Sequence, residues 1–516
     1  MHGSPIVRRA LELARRGQRE AAGLPPPLPG IAGIGRRALL KAMGAAAGLA
    51  ALPLASCAGS ARREVAIVGG GIAGLVALRT LATAGVPTRL YEARRRLGGR
   101  IFTRSDFPIA GSWVEMGGQM VNSDHADMLA LAQAFGLELI DGQVLGGIDQ
   151  AVRNRQLVAQ ASLARALGPI AAQIAEDSER LDGDWASAGP ELDALSVAGY
   201  LDRHGNLVGD TAVRRLLEQT IRTEYGAEPD QASALELIWN LPTVEGEAYE
   251  TLGNSDERYV VRGGSQRVTD ALVEAHGGRI ETGHRLVALA AAAGGRVTLR
   301  FASGNESTVD RVILALPASL LGGIDHGGLL TPQWQAFARE VRLGANEKLN
   351  AVYRRKPWTA TPMGIDGATW DLSDGAPFSE VWECTGGQPA PQGVLSWYFG
   401  GGQVAGVADE GLRARCEAAA GSAMGDLAGA AHPYAARTGW GKDPFARGAY
   451  VNFAPGQLTK FGGLVWVEEE DGSASQKAQS GPVYLAGEHV SDAWPGYMNG
   501  AAQTGRLAAQ AILAEA

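Results

Sequence analysis

The sequence predicts an α/β protein in two interleaved parts. One is a domain on a parallel sheet gathered from separated stretches of chain, and the other is an α+β domain made of the stretches between. Three observations predict it. Residues 64–69, Glu-Val-Ala-Ile-Val-Gly, form a β-branched run suited to a buried parallel strand. A glycine turn, an Ala/Leu-rich helical stretch to about Ala84 and a second strand at 88–91 follow at once. Far down the chain, residues 483–489 are another buried strand running into a turn, with a terminal helix after residue 501. The intervening stretches 121–261 and 331–435 show amphipathic helical patterns, as at 126–135 and 213–221, with few clear strands before 394–399.

The chain has 516 residues, 46% hydrophobic and 20% charged, enough for a large core and incompatible with wholesale disorder. Glycine, at 71 residues, has about twice its usual share, without the three-residue period of collagen. The net charge of −8 is uneven: residues 1–41 hold eight basic and two acidic side chains, so the remainder is strongly acidic. Such a body is not built to grip nucleic acid. Three cysteines, at 57, 384 and 416, are too few for a disulfide framework and lack metal-ligand spacing, so no metal site is expected.

The first strand, its turn and its helix have the spacing of a dinucleotide-binding, Rossmann-type start. Gly69 allows the tight turn, Gly71 lets backbone approach a pyrophosphate, and Gly74 allows the helix to press on the strand. The helix start offers free N–H groups to phosphate, and Glu92, closing the second strand, is placed for ribose hydroxyls. This motif alone does not separate NAD from FAD. Residues 93–103, Ala-Arg-Arg-Arg-Leu-Gly-Gly-Arg-Ile-Phe-Thr, and 114–119, Val-Glu-Met-Gly-Gly-Gln, do. Together with Glu92 they resemble the flavin amine oxidase family, which includes monoamine, polyamine and L-amino-acid oxidases.

The resemblance implies that fold, a Rossmann-type FAD-binding domain with an interleaved α+β substrate-binding domain. It places Arg96 and Arg100 near the FAD pyrophosphate and flavin edge, and Gly117, Gly118 and Gln119 under the ring. Matches recur later. Residues 312–317 (VILALP) resemble the strand leading out of the cofactor domain, and Val287 is implied to meet the adenine end through its backbone. Residues 483–489 and 494–501 resemble the closing segment, with Glu488 near the ribityl-pyrophosphate and the Met498 backbone near the pyrimidine ring. Asn499 stands where the family often has Glu. Ala93, Arg94, Gly99, Trp440, Gly487, Gly496 and Tyr497 complete the implied cofactor-binding set.

Three side chains are implied to carry the chemistry. Residues 440–450 (WGKDPFARGAY) match a W-x-x-D-P-x-x-x-G-x-Y pattern, so Tyr450 and Tyr497 fall on the two positions of an aromatic cage. Ala449 replaces the cysteine of covalently flavinylated members, so the FAD is expected to be non-covalent. Lys348 opens the strand-like run 348–354 (KLNAVYR), whose alternation sets Lys348, Asn350 and Val352 on one face. A lysine at a strand start is commonly a solvated edge residue. The family instead uses such a lysine, shortly before a tryptophan (here Trp358), to hold a water at the flavin.

Residues 35–57 resemble a twin-arginine export signal: Arg36-Arg37, then a short apolar run broken by Pro53. Leu54-Ala55-Ser56-Cys57 resembles a lipobox that would leave an acylated Cys57, with ordinary signal-peptidase cleavage near Ala55 or Ala58 as the alternative. The implied protein is an exported, periplasmic or membrane-anchored oxidase that turns the C–N bond of an amine or L-amino acid into an imine while O₂ becomes H₂O₂. The translocation machinery and a second copy of the chain, as a homodimer, are its expected partners. An amino acid would need a cation for its carboxylate, for which Arg104 and Arg222 are candidates. A dehydrogenase feeding a cytochrome and a non-catalytic flavoprotein remain as alternatives. The expected segments are 1–57 signal; 62–120, 262–330 and 440–516 cofactor domain; and 121–261 and 331–439 substrate domain.

Overall fold

The computed structural model describes residues 63–253, 255–404 and 411–515. The leader, with its arginine pair and Cys57, lies outside them. Val65–Val68, buried at every position, joins a six-stranded sheet in the order Ile280–Thr282, Thr88–Glu92, Val65–Val68, Arg311–Leu314, Val483–Leu485, Gln479–Ser480. The first five strands are parallel and the last is antiparallel. Segments distant in sequence therefore supply one sheet, because their continuous apolar runs can be buried on both faces only by assembling together.

The turn after Val65–Val68 shows why two of its glycines are needed. Gly69 has φ +112°, and a Cβ there would lie 2.3 Å from the Ala315 carbonyl oxygen. At Gly74, inside the helix Ile72–Thr83, a Cβ would lie 2.0 Å from the Gly69 oxygen. Helix and strand thus meet backbone to backbone. The terminal helix Met498–Leu513 packs on Ile72–Thr83 just as closely, with Gly505 against the Ala73 oxygen.

A second sheet has seven strands, where the sequence predicts few. Their order is Ala431–Arg437, Asn346–Tyr353, Gly393–Gly400, Glu380–Glu383, Ala368–Asp371, Gln150–Arg153, Gln156–Val158. Ala368–Asp371 is buried at all four positions and Gln150–Arg153 at three, so neither shows the alternation that marks a half-buried strand. The helices predicted from periodicity form, as Ala126–Ala134 and Thr211–Tyr225. Among the described residues no helix is long and apolar enough to cross a membrane.

Candidate active site

The strand carrying Lys348 starts at Asn346, two residues earlier than predicted, and is interior rather than an edge. It lies between Gly393–Gly400 and Ala431–Arg437, antiparallel to both. Lys348, Asn350 and Val352 share a face, and that face meets residues 114–119. Lys348 Nζ donates to the Gly117 carbonyl (2.9 Å) and to Gln119 Oε1 (3.2 Å). Asn350 Nδ2 donates to the Glu115 carbonyl (3.1 Å), and Val352 packs with Val114 and Met116. Lys348 is 5% exposed, with Nζ 5.2 Å from the centre of the Trp382 ring. Burial pulls its pKa below the ordinary lysine value, against the opposing charges of Cys384, Glu115 and Glu257.

Behind this face, burial raises the Glu115 carboxyl to about 7, although it accepts the Ser265 N–H (2.7 Å) and the Thr103 hydroxyl (2.9 Å). An unfolded glutamate titrates near 4.5. Between those values the unfolded chain holds fewer protons than the folded one, so this group's contribution to stability falls as pH rises. The melting temperature is accordingly expected to drop from pH 5 to pH 8, and Glu115→Gln to flatten that drop. An equally steep drop in the variant would assign it to other groups.

One continuous cleft collects most of the predicted cofactor set. Gly69, Gly71, Glu92, Ala93, Arg94, Arg96, Gly99, Arg100, Gly117, Gly118, Trp440, Gly487, Glu488, Gly496, Tyr497 and Met498 line it, with Lys348 and Tyr450. Glu92 accepts the N–H groups of Gly70 (2.7 Å) and Arg94 (2.8 Å), fixing the turn. Arg94 pairs with Asp443. Arg96 donates to the carbonyls of Leu97 and Ile101 and so shapes that loop, while burial, then the charge of Arg94, lowers its pKa. Trp440 Nε1 donates to the Met116 carbonyl (2.8 Å) and holds the glycine pair in place. Gly74 stands behind the wall, and Gln119 faces a second cavity. Val287 is not brought to the wall. It sits at a bulge of the strand Leu286–Ala292 with its carbonyl accepting the Asp325 N–H, and His284, Arg285 and Leu286 line the cleft instead.

Two features fit this cleft to a dinucleotide. A Cβ on Gly71 would meet nothing nearer than the Gly99 Cα at 3.9 Å, so protein packing does not require that glycine; it borders open cleft at a helix start with no side-chain cap. Arg100 Nη1 stands 2.9 Å from Glu488 Oε1, but the angle leaves both buried atoms without a hydrogen bond, on a wall where ligand atoms would complete them.

The second cavity, of about 1300 Å³, meets the cleft at Gly117, Gly118, Lys348, Tyr398, Tyr450, Gly496, Tyr497 and Met498. Tyr398 Oη donates to Tyr450 Oη (3.1 Å), and Tyr497 Oη donates to Ser255 Oγ (3.2 Å). Burial pushes the Tyr450 phenol up to about 12 and raises that of Tyr497 well above the usual value, so both remain neutral phenols. The sequence does not single out Tyr398, Trp382 or the carboxyls of this cavity. Of those carboxyls, Glu224 falls in the run 222–226 (RTEYG), which resembles a segment common in bacterial amine and amino-acid oxidases. Neither candidate carboxylate binder reaches the site: Arg104 is paired with Asp106 (2.8 Å) and Arg222 with Glu228 (2.7 Å), and neither lines either cavity.

The sequence pattern of the family described as flavin containing amine oxidoreductase matches residues 72–513. The chain belongs to that family. As a flavin-containing amine oxidoreductase it uses FAD, and the lining of the cleft described above fits a dinucleotide. A relative from Mycobacterium tuberculosis, named as a flavin-containing monoamine oxidase, is 28% identical over 466 residues, spanning 84% of this chain and 93% of the relative. An L-amino acid dehydrogenase of Synechocystis is 24% identical, over 82% of this chain and 88% of its own. The fold is that of a putrescine oxidase solved with putrescine (TM-score 0.73, 21% identity, covering 88% of this chain and 99% of that one).

Proposed function

We propose that this flavoenzyme is an exported oxidase acting on an amine rather than an amino acid. The observation that carries this reading is the junction of the two cavities, where the buried Lys348 and two neutral phenols meet and which neither Arg104 nor Arg222, each held by its own carboxylate, reaches. Bound FAD, held non-covalently because Ala449 offers no nucleophile, supplies the two-electron acceptor. Tyr450 and Tyr497 frame the amine, and neutral phenols favour its uncharged form, whose lone pair is free. Lys348, held by Gly117 and Gln119, would offer its N–H donors to bound FAD at the junction of the two cavities. Overall, the amine loses two electrons and two protons to give an imine. Water then releases a carbonyl compound and ammonia or a smaller amine, and O₂ takes up the electrons and protons as H₂O₂.

The test is a panel of monoamines, polyamines and L-amino acids on purified holoenzyme, following loss of flavin absorbance without oxygen and then peroxide on its return. Bleaching and peroxide with amines are expected. Bleaching by amino acids alone would overturn the substrate reading, and bleaching with electrons passed to an artificial acceptor but no peroxide would make the protein a dehydrogenase. The leader supports export by the twin-arginine route, with Cys57 as the lipid-bearing end, and cell fractionation with Arg36 and Arg37 changed to lysine reads that directly.

A further inference from the structure

Tyr497 is gripped at two places by the segment that follows the glycine pair. His125, wholly buried, precedes the helix Ala126–Ala134 and lines neither the cleft nor the second cavity, the chamber beyond the phenols. Its ring centre lies 5.1 Å from that of Tyr497 and 4.8 Å from that of Trp494, with the planes at 69° and 82°. Such near-perpendicular meetings set the positive edge of one ring against the negative face of another. Trp494 and Tyr497 are themselves 6.4 Å apart at 86°, so the imidazole completes a cluster of three rings, one of which is a phenol of the site.

The imidazole is itself anchored. The Asn122 N–H donates to its Nδ1 (3.0 Å). A backbone N–H only donates, so Nδ1 carries no proton and the neutral ring holds its one proton on Nε2. Burial lowers the pKa to about 4, against the charge of Asp256, so no second proton contends for Nδ1 at neutral pH. Nε2 has no hydrogen-bond partner among the described residues, and the rings of Trp494 and Tyr497 are what the imidazole meets instead. Asn122 also reaches the other end of Tyr497: its Nδ2 donates to Ser255 Oγ (2.9 Å), the atom that accepts the Tyr497 hydroxyl (3.2 Å). The helices Ala126–Ala134 and Met498–Leu513, which start beside the two rings, are tied as well. Asn499, which stands where the family often has Glu, accepts the Met128 N–H (3.1 Å), and Asp127 pairs with Arg506 (2.6 Å).

We infer that His125 is a positioning residue: anchored by the Asn122 N–H, its imidazole sets the tilt of the Tyr497 ring and so the face that this phenol offers to the amine. This rests on the amine-oxidising reading above. A bond to the hydroxyl alone leaves a phenol free to turn about its long axis, because the oxygen lies on that axis. The ring contact stops the turn. An amine held between two phenols reacts only in a narrow range of poses, so a wall that swings lowers the rate without releasing the flavin.

The experiment changes the two contacts of the imidazole separately. His125→Asn keeps an acceptor near the place of Nδ1 and removes the ring, while His125→Phe keeps a ring and removes the acceptor. Reduction of the holoenzyme by its best amine without oxygen is followed through a single turnover, which reads even very slow rates, alongside thermal melting. His125→Asn is expected to hold flavin and to be reduced about tenfold or more slowly at saturating amine, with little change in the half-saturating concentration. His125→Phe is expected to melt earlier, because the Asn122 N–H is left unpaired, yet to be reduced at close to the parent rate. In a Tyr497→Ala background neither change is expected to alter reduction further, because the ring to be positioned is gone. Rates that simply follow melting, or the same slowing in both backgrounds, would make His125 a packing residue and overturn the inference. Should neither variant fold, the NMR shifts of the His125 ring nitrogens in the parent holoenzyme decide: a bare Nδ1 upholds the anchor, and a proton on Nδ1 overturns it. If no amine bleaches the parent flavin, the amine-oxidising reading itself fails. If amines bleach it and His125→Asn is reduced at the parent rate, only the present inference does.

Discussion

Replacing Lys348 by methionine is expected to slow turnover about a hundredfold while leaving the flavin bound, a loss typical of removing one positioned donor from a buried site. Methionine matches the length and the apolar stem of lysine, so the strand Asn346–Tyr353 keeps its packing. What disappears is the ammonium. The Gly117 carbonyl loses a donor, while Gln119 Oε1 still accepts from Trp382 Nε1 (3.3 Å). The cofactor cleft is lined by many other groups, so flavin content should stay near stoichiometric. Absorbance gives the flavin content, and rapid mixing separates reduction by amine from reoxidation by oxygen. A variant that turns over its best substrate at the parent rate would remove Lys348 from the chemistry and leave it a purely structural residue.

The second large effect separates two glycines that look equivalent in sequence. Gly74→Val is expected to give a poorly folded protein, because its Cβ would fall 2.0 Å from the Gly69 oxygen, backbone against backbone with nothing flexible to yield. Gly71→Val is expected to fold with nearly the parent stability as apoprotein, since its Cβ meets no protein atom within 3.9 Å, yet to lose flavin, because the branched side chain would fill the space where phosphate must approach. Thermal melting of the apo forms, with flavin content on reconstitution, reads both. A Gly71→Val protein that holds flavin at the parent level would show that the pyrophosphate does not pass this turn.

These contrasts also explain what could be read from sequence. The turn at Gly69, Gly71 and Gly74 was legible because backbone contact admits one residue type at fixed spacing. Tyr450 and Tyr497 were legible through neighbours with strict backbone needs, such as Gly496. Lys348 stood out in a chain with six lysines, and alternation correctly set it on one face with Asn350 and Val352. The chamber was not legible. Glu257 and Glu380 sit singly on a loop and a strand, where each looks like an ordinary surface acid, and only folding brings them into one space. Arg104 and Arg222 misled for the converse reason: a sequence shows a guanidinium but not the nearby Asp106 or Glu228 that already occupies it.

The ladder from Lys348 to Val352 has a bearing on assembly as well as on chemistry. Side chains on a strand alternate, so a slip of one residue against Gly393–Gly400 would exchange its two faces. Leu349, Ala351 and Tyr353 would turn toward the glycine pair, and the ammonium would enter the apolar cluster that now holds them, with Trp397 and Phe399, where it finds no acceptor. The out-of-register sheet is thus penalised by the misplaced amine itself. Lys348 acts as a proofreading peg: only the register that seats it on Gly117 and Gln119 also forms the junction of the two cavities.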